Sequence, residues 1–314
     1  MRGDQAPHAM PPPPPGMPER GRFAPSPTGA LHFGSLVAAL GSWLAVRSRG
    51  GEWHVRIEDI DPAREVPGAA KAILRTLDAC GLQADGRVAW QSRQTAAHAQ
   101  SLARLVAEGH AYACHCSRSE LAPFGGIHPA RCVGRNHGRR PAWRVRVGAT
   151  VIAVDDAIQG PLVQDLAREV GDFVIWRADG ACAYQLAVVL DDAELGVTQV
   201  VRGADLLDST PRQVFLQRLL GLPQPAHAHL PLVLDADGRK LSKQDRALPV
   251  DAADPLPPLR HALAFLGQPV PRAGTPARLL ALAASAFDLA RVPRAVPTAV
   301  CGDAAGNFLN RKAQ

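Results

Sequence analysis

The sequence has no apolar segment long enough to cross a membrane. A spanning helix needs about 20 consecutive apolar residues, and even the stretch 36–46 is interrupted by a glycine and a serine. The N-terminal segment contains five consecutive prolines, Pro11 to Pro15, and lacks the apolar core of a secretory signal. We therefore expect a soluble, cytoplasmic protein with a disordered Pro-rich extension over residues 1–20.

Cysteine is too scarce and too unevenly spaced for a disulfide scaffold. The chain of 314 residues has 6 cysteines, and the three at positions 114, 116 and 132 lie close together. Disulfide frameworks are typical of short secreted chains with regular cysteine spacing. The distribution therefore favours a reducing compartment and a metal site. The sequence also contains no internal repeat.

The overall composition is that of a packed globular protein with a basic surface. Hydrophobic residues make up 46% of the chain and charged residues 20%, which is ordinary for a soluble enzyme. The formal net charge is +6 and the pI is about 9.3. This balance favours an anionic partner, and nucleic acid, nucleotide and acidic lipid all remain open from composition alone.

The hydrophobic pattern after residue 20 alternates between strands and helices. Residues 22–24 and 53–57 have strand patterns, and a glycine-bearing loop and the apolar-periodic stretch 35–47 lie between them, which predicts a βαβ unit. Continued alternation predicts a doubly wound, Rossmann-type parallel α/β sheet with covered faces. The other predicted helices span 68–80, 93–108, 184–194, 210–220, 259–266 and 277–289, and the other predicted strands span 173–176, 197–201 and 232–234.

The alternation is lost between residues 112 and 143, where paired glycines, cysteines and many arginines occur. We therefore predict an insertion that splits the sheet domain into two halves. The predicted parts are the extension 1–20, the first half 21–110, the inserted subdomain 111–170, the second half 171–250 and a small helical C-terminal region 251–314.

The loop after the first predicted strand has features of an anion site. A loop that opens a helix presents unpaired backbone N–H groups and the positive end of the helix dipole. Gly29 and Gly34 would let a phosphate approach this backbone closely. His32 beside them can donate a hydrogen bond to charge that builds on an attacked phosphate. In isolation, such a turn is more often structural than catalytic.

A second basic loop, with the sequence Lys-Leu-Ser-Lys-Gln, spans residues 240–244 and follows an Asp-Gly turn signal. Its two ammonium groups, on Lys240 and Lys243, and its hydroxyl could clamp a pyrophosphate. A short basic turn is usually only a solvated surface feature. The two loops occur in this order on either side of an α/β pattern, and together they favour nucleotide binding.

Residues 25–35 (Pro-Ser-Pro-Thr-Gly-Ala-Leu-His-Phe-Gly-Ser) and 240–244 resemble the "HIGH" and "KMSKS" signatures of class I aminoacyl-tRNA synthetases of the glutamyl branch. The chain departs from the general signatures at Ser35 and Gln244, and it keeps His32 and Lys243. The resemblance implies a ligase that uses ATP with Mg²⁺ and in which His32 and Lys243 are catalytic. It also implies ATP binding by Gly29, His32, Gly34, Lys240 and Lys243.

A glutamate pocket can be argued from charge once that family is considered. Glutamate offers two carboxylates and one ammonium group, and Arg22, Arg202 and Glu58 supply two guanidinium forks and one anion. All three follow or begin predicted strands at a sheet edge where open α/β proteins bind ligands. Without the resemblance, each would be interpreted as a surface salt-bridge residue. The resemblance adds Ser26, the backbone at Ala24 and the hydroxyl of Tyr184.

The clustered cysteines predict a zinc site. Cys114, Cys116 and Cys132 with His128 form an S₃N set that suits tetrahedral zinc. In an extended segment His115 points away from its two cysteine neighbours, which favours His128 as the fourth ligand. His115 or water stays an alternative, and unlinked buried cysteines are the competing interpretation. The resembled family carries a structural zinc here, usually with tyrosine at the position of His128.

Six arginines between residues 131 and 146 occur without an intervening acidic residue, which predicts a surface that binds phosphate backbones in a salt-dependent way. A solvated surface with no partner is the alternative. In class I synthetases the corresponding insertion contacts tRNA, which favours the RNA interpretation. The arginines are Arg131, Arg135, Arg139, Arg140, Arg144 and Arg146.

Only 71 residues follow Lys243, and a separate anticodon-binding domain would need about 100 or more. This length, together with segment 205–212, resembles the glutamyl-queuosine tRNA(Asp) synthetases. That resemblance implies tRNA-independent activation of L-glutamate and transfer to queuosine in the anticodon loop of tRNA(Asp). We expect a monomer. The alternatives are a truncated glutamyl-tRNA synthetase that charges tRNA(Glu) and a non-enzymatic RNA-binding paralogue.

Overall fold

A computed structural model of the chain describes residues 16, 18–129, 131–134, 138, 140–234, 249–295, 300–302 and 308–310. The proline run Pro11 to Pro15, two of the six arginines (Arg135 and Arg139) and the loop 240–244 with Lys240 and Lys243 lie outside these residues. No helix in the described part of the chain is long and apolar enough to cross a membrane.

The N-terminal βαβ unit is confirmed. Strand β1 (Arg20–Phe23) and strand β2 (Glu52–Ile57) pair in parallel on either side of helix α1 (Phe33–Arg47). Helix α1 is apolar on most of its circumference, and ten of its 15 residues are buried because it lies inside the main core. Gly41 permits this close packing, since a Cβ there would meet Cδ1 of Leu230 at 2.6 Å.

The central sheet is parallel, as predicted. Strand β3 (Ala89–Trp90) pairs with β2, and strand β9 (Gln199–Gly203) pairs with β10 (Ala226–Leu230), which adjoins β6 (Val151–Asp156). The N–H of Thr198, the residue before β9, donates to the carbonyl of Arg20 at 2.9 Å and so places β9 beside β1. The strands therefore run β3-β2-β1-β9-β10-β6, with antiparallel β7 (Gly160–Asp165) at the edge.

Four predicted helices of the two sheet halves are confirmed within two residues at each end. The predicted strand at 232–234 is wrong, because the ladder occupies β10 and stops at Pro231, which has no N–H to donate. The sequence did not indicate β10 because two buried histidines interrupt the apolar residues of this strand. The four helices are α2 (Ala69–Ala79), α3 (Thr95–Ala107), α6 (Tyr184–Glu194) and α7 (Thr210–Leu220).

The segment between the two sheet halves is antiparallel, in contrast to the parallel sheet around it. Strand β5 (Ala142–Val145) lies between β4 (Ala111–Cys114) and β8 (Val174–Trp176). Short helix α4 (Arg118–Leu121) follows β4 in the chain, and short helix α5 (Leu166–Glu169) contacts β6 and β7. After the sheet, helices α8 (Leu256–Phe265) and α9 (Pro276–Ser285) pack against α1 in the main core. Strands β11 (Val300–Gly302) and β12 (Phe308–Asn310) form an antiparallel pair.

Candidate functional site

A cavity of about 600 Å³ opens at the carboxyl ends of β1, β2, β9 and β10. Successive parallel strands all end at this edge, so side chains distant in sequence meet there. Gly29 has a φ of 147°, which favours glycine, and is not among the residues that line the cavity. The predicted site residues that do line it are Arg22, Ala24, Ser26, His32, Gly34, Glu58, Tyr184 and Arg202.

Arg22 is buried and held by an ion pair that the sequence did not indicate. Its Nε donates to the two carboxylate oxygens of Asp192 at 3.2 and 3.3 Å. Arg56, which is fully buried, donates to the same carboxylate at 2.5 Å and to Glu58 at 3.2 Å. Two guanidinium groups and two carboxyl groups thus form one buried network, and Arg22 and Glu58 of this network line the floor of the cavity.

The pKa values of these acids follow from burial and charge. Burial alone would raise the pKa of Asp192, but the guanidinium groups of Arg22 and Arg56 lower it to about 2. The pKa of Glu58 is raised because burial outweighs its attraction to Arg56. Asp192 is therefore the permanent counter-charge in this network, and Glu58 is the carboxyl with an elevated pKa that lines the cavity.

Arg202 is also buried, but its described partners are neutral acceptors. Its Nε donates to Nε2 of His229 at 3.0 Å, and one Nη donates to the hydroxyl of Thr210 at 2.9 Å. The other Nη lies 3.5 Å from the hydroxyl of Tyr184. Within the described residues Arg202 forms no ion pair, and burial lowers its pKa. Its charge is therefore available to an anion in the cavity.

A second set of buried, hydrogen-bonded side chains is centred on Asp191, the neighbour of Asp192 in the chain. Asp191 accepts from Gln91 at 2.6 Å and is 2.6 Å from Nε2 of His98, with all three side chains buried. Asp191 and Asp192 are adjacent on α6, where an apolar run gives no sign of a buried acid pair. Neither acid was predicted from the sequence as a site residue, because their partners lie far away in the chain.

His32 is placed as the N-cap of α1, whose N-terminal end points into the cavity. Its Nδ1 accepts from the N–H of Ser35 at 3.3 Å, so the neutral imidazole carries its proton on Nε2. That Nε2 lies 2.9 Å from the hydroxyl of Ser35. With its proton on Nε2, the ring donates to that hydroxyl, and both side chains line the cavity at the positive end of the α1 dipole.

The cysteine cluster forms a compact donor set. Potential ligand atoms of Cys114, Cys116, His128 and Cys132 all lie within 4.8 Å of one another, whereas His115 is not part of the group. The sulfur–sulfur separations of Cys132 to the other two cysteines are 3.6 and 3.2 Å. Distances of about 3.5 Å suit ligands that share one tetrahedral zinc. The cluster could thus hold a metal.

Neighbouring side chains orient the imidazole of this cluster. The hydroxyl of Tyr112 donates to Asp172 at 2.8 Å and lies 3.1 Å from Nδ1 of His128. With its proton committed to Asp172, the hydroxyl accepts the Nδ1–H of His128, which leaves Nε2 to face the cysteines. A carboxylate, a phenol and the imidazole therefore form one chain of hydrogen bonds behind the candidate metal site.

The described arginines of the predicted basic surface differ in their surroundings. Arg131 and Arg140 are exposed. Arg144 instead donates to the carbonyl of Asp172 at 2.7 Å and to the sulfur of Cys114 at 3.3 Å. Arg146 lies over the ring of Tyr112 at 4.4 Å. The described arginines of this set therefore do not share one environment, because Arg144 contacts the cysteine cluster. The binding of phosphate backbones by this surface stays a prediction.

Comparisons with known proteins agree on one family. A family model described as tRNA synthetases class I (E and Q), catalytic domain, matches residues 20–124 and 132–265. A glutamyl-Q tRNA(Asp) synthetase of Xanthomonas campestris pv. campestris (strain 8004) is 57% identical over 282 residues, covering 88% of this chain and 94% of that protein. A second, of Ectopseudomonas mendocina (strain ymp), is 54% identical over 280 residues, covering 87% and 95%.

A solved structure has the same fold. The crystal structure of a glutamate tRNA ligase from Elizabethkingia meningosepticum CCUG26117, in complex with its amino acid, superposes with a TM-score of 0.72 and 26% identity. The match covers 88% of this chain and 66% of that chain. The chain therefore spans just under two thirds of that larger ligase.

Proposed function

Because the chain belongs to the class I tRNA synthetases for glutamate and glutamine, and within them to the glutamyl-Q tRNA(Asp) synthetases, we propose that it glutamylates tRNA(Asp). The reaction uses ATP to activate L-glutamate as an adenylate without tRNA and then transfers the glutamyl group to queuosine in the anticodon loop. The observation that carries the proposal is the charge pattern of the cavity, in which buried Arg22 and Arg202 line the same space as Glu58.

Glutamate fits this pattern by charge. The two guanidinium groups would bind its two carboxylates, and Glu58 with Tyr184, Ser26 and the backbone at Ala24 would surround its ammonium group and chain. The ion pair between Arg22 and Asp192 leaves the Nη groups of Arg22 for the substrate. The free charge of Arg202 balances the net single negative charge of glutamate.

Activation begins when a glutamate α-carboxylate oxygen attacks the α-phosphorus of ATP. A P–O bond forms, the bond to the bridging oxygen breaks, and pyrophosphate leaves. The Nε2–H of His32 and the N-terminal end of α1 with Gly34 would stabilise charge on the α-phosphate. The ammonium groups of Lys240 and Lys243 would hold the leaving pyrophosphate, and Mg²⁺ would accompany ATP. In the second step a hydroxyl of the queuosine cyclopentenediol attacks the adenylate carbonyl, and AMP leaves.

A zinc ion fits the cysteine cluster, because three thiolates and one imidazole form a soft donor set at suitable spacing. Cys114, Cys116, His128 and Cys132 would hold it. Its role would be structural, since it would tie the segment between β4 and β5 to the sheet. Exposed arginines near this segment, such as Arg131 and Arg140, would contact the phosphates of the tRNA.

The proposal is tested first at the adenylate step. We predict that His32→Ala and Lys243→Ala each lower glutamate-dependent ATP–pyrophosphate exchange at least about tenfold, since each removes charge stabilisation in the transition state. Asp208→Asn, an exposed change outside the cavity lining, serves as the control and should leave exchange unchanged. Unchanged exchange in both active-site variants would refute the assigned site.

The acceptor is tested with radiolabelled glutamate and purified tRNAs. We expect labelling of tRNA(Asp) that carries queuosine, and none of tRNA(Asp) without queuosine or of tRNA(Glu). Periodate treatment of the tRNA before the reaction should abolish labelling, because it cleaves the diol. Labelling of tRNA(Glu) would instead support a glutamyl-tRNA synthetase, and an absence of glutamate-dependent ATP consumption would support a non-enzymatic RNA-binding protein.

A further inference from the structure

Three buried side chains form a linear chain of hydrogen bonds that ends at the cavity. Oδ2 of Asp156 lies 2.5 Å from Nδ1 of His229, and Nε2 of His229 accepts from Nε of Arg202 at 3.0 Å. The side chains of Asp156 and His229 have no exposed surface. Asp156 and His229 stand on neighbouring strands, β6 and β10, and do not line the cavity themselves.

The direction of the two hydrogen bonds follows from arginine. A guanidinium group can only donate, so Nε2 of His229 must be unprotonated and its proton must sit on Nδ1. Asp156 is the acceptor for that proton, and its other oxygen accepts from the N–H groups of Ile158, Gln159 and His229 itself. Burial also lowers the pKa of His229, in line with a neutral ring beside a cation.

We propose that His229, fixed by Asp156, is a positioning residue for Arg202. The inference rests on the proposed function, in which Arg202 binds a carboxylate of glutamate. His229 occupies Nε, and Thr210 and the carbonyl of Leu206 occupy one Nη. The guanidinium plane is thereby set, and the remaining Nη lies near Tyr184 at the cavity.

A neutral imidazole orients the guanidinium without competing for its charge. A carboxylate in the same place would form an ion pair with Arg202 and weaken its attraction for the substrate, as Asp192 partly does for Arg22. The site therefore combines one arginine balanced by an acid with one that is held by neutral acceptors. This difference would make Arg202 the stronger attraction for a substrate carboxylate.

The competing explanation is that His229 only fills the core. His227, on the same strand, is also buried and stacks on His229 with ring centroids 6.2 Å apart. The two histidines thus share burial and packing, but the bond to Arg202 comes from His229. His227 is therefore the matched position with which to separate packing from positioning.

Two variants test the hydrogen bonds of the two imidazole nitrogens separately. His229→Asn retains a donor near Nδ1 for Asp156 but has no acceptor for Arg202, whereas His229→Gln retains an acceptor near Nε2. We expect His229→Asn to raise KM for glutamate in ATP–pyrophosphate exchange by roughly tenfold or more, because Arg202 loses a charge-assisted hydrogen bond. His229→Gln and the control His227→Asn should stay within about threefold of wild type.

KM for ATP should change little in all three variants, because the imidazole acts through the glutamate-binding arginine. Equal effects of His229→Asn and His227→Asn on KM for glutamate would overturn the proposal, as would an effect confined to ATP. If the wild-type protein shows no glutamate-dependent exchange, the proposed function itself fails. In that case the ¹⁵N NMR spectrum of His229 still tests the positioning role, because a ring protonated on Nε2 could not accept the hydrogen bond from Arg202.

Discussion

Replacing Asp192 by Asn tests how much the floor of the cavity depends on one buried carboxylate. The change keeps the size of the side chain but removes the negative charge that Arg22 and Arg56 share at 3.2 and 2.5 Å. Removal of one partner from a buried ion pair costs about 3–5 kcal/mol, because the remaining charge is uncompensated. Depression of the Asp192 pKa from 3.8 to about 2 independently corresponds to about 2 kcal/mol.

We therefore expect Asp192→Asn to lower the free energy of unfolding by about 3 kcal/mol at pH 7. Urea titrations followed by circular dichroism measure this loss. The matched control is Glu52→Gln, which breaks the partly exposed pair between Arg20 on β1 and Glu52 on β2, the strands that also carry Arg22 and Arg56. That pair is half exposed, so its loss should cost at most about 1 kcal/mol.

The contribution of Asp192 to the free energy of unfolding depends on pH in a defined direction. The folded-state pKa of Asp192 is depressed, so its contribution is fully present above the unfolded-state value of about 3.9 and is lost as pH falls toward about 2. The difference between wild type and Asp192→Asn should thus be constant between about pH 5 and 8 and should shrink below about pH 4. Equal losses in Asp192→Asn and Glu52→Gln, or a difference that does not shrink at low pH, would contradict the assigned role of the Asp192 carboxylate.

Two further predictions concern the segment between the sheet halves. Tyr112→Phe removes the acceptor of the His128 Nδ1–H, so we expect zinc affinity to fall about 10- to 100-fold. Chelator competition measures this affinity, and an unchanged value would contradict the assigned hydrogen-bond chain. Arg140→Gln should weaken binding of tRNA and lower the slope of log K against log salt by about 1, since an exposed arginine releases a counterion on binding a phosphate. The control Arg144→Gln should leave that slope nearly unchanged because Arg144 is engaged with Asp172 and Cys114, and equal slopes for the two variants would contradict the distinction.

Local sequence patterns predicted most of the architecture. The βαβ unit and helices α2, α3, α6 and α7 were predicted from apolar periodicity and turn residues because these record how neighbours in the chain contact the core. The strand β10 was misplaced because its buried histidines interrupt the apolar pattern that marks a core strand. Those histidines belong to the chain of hydrogen bonds at Arg202, so the error occurred where polar chemistry replaced packing.

Several residues of the candidate site could likewise be predicted from the sequence. Charge matching and family motifs selected Arg22, Glu58 and Arg202 from the sequence, and all three line one cavity in the structure. The cysteine cluster was likewise evident from composition and short spacing, including the choice of His128 over His115. These features could be predicted because each belongs to a short motif or to the end of a strand.

The order of most elements, the motifs of nucleotide binding and the donor set for a metal follow from local sequence patterns. The partners that hold the arginines follow from the path of the folded chain. Asp192 lies 170 residues from Arg22, and His229 lies 73 residues from Asp156. Such pairs depend on the path of the whole chain and on the removal of water around opposite charges, and neither is recorded in a local pattern.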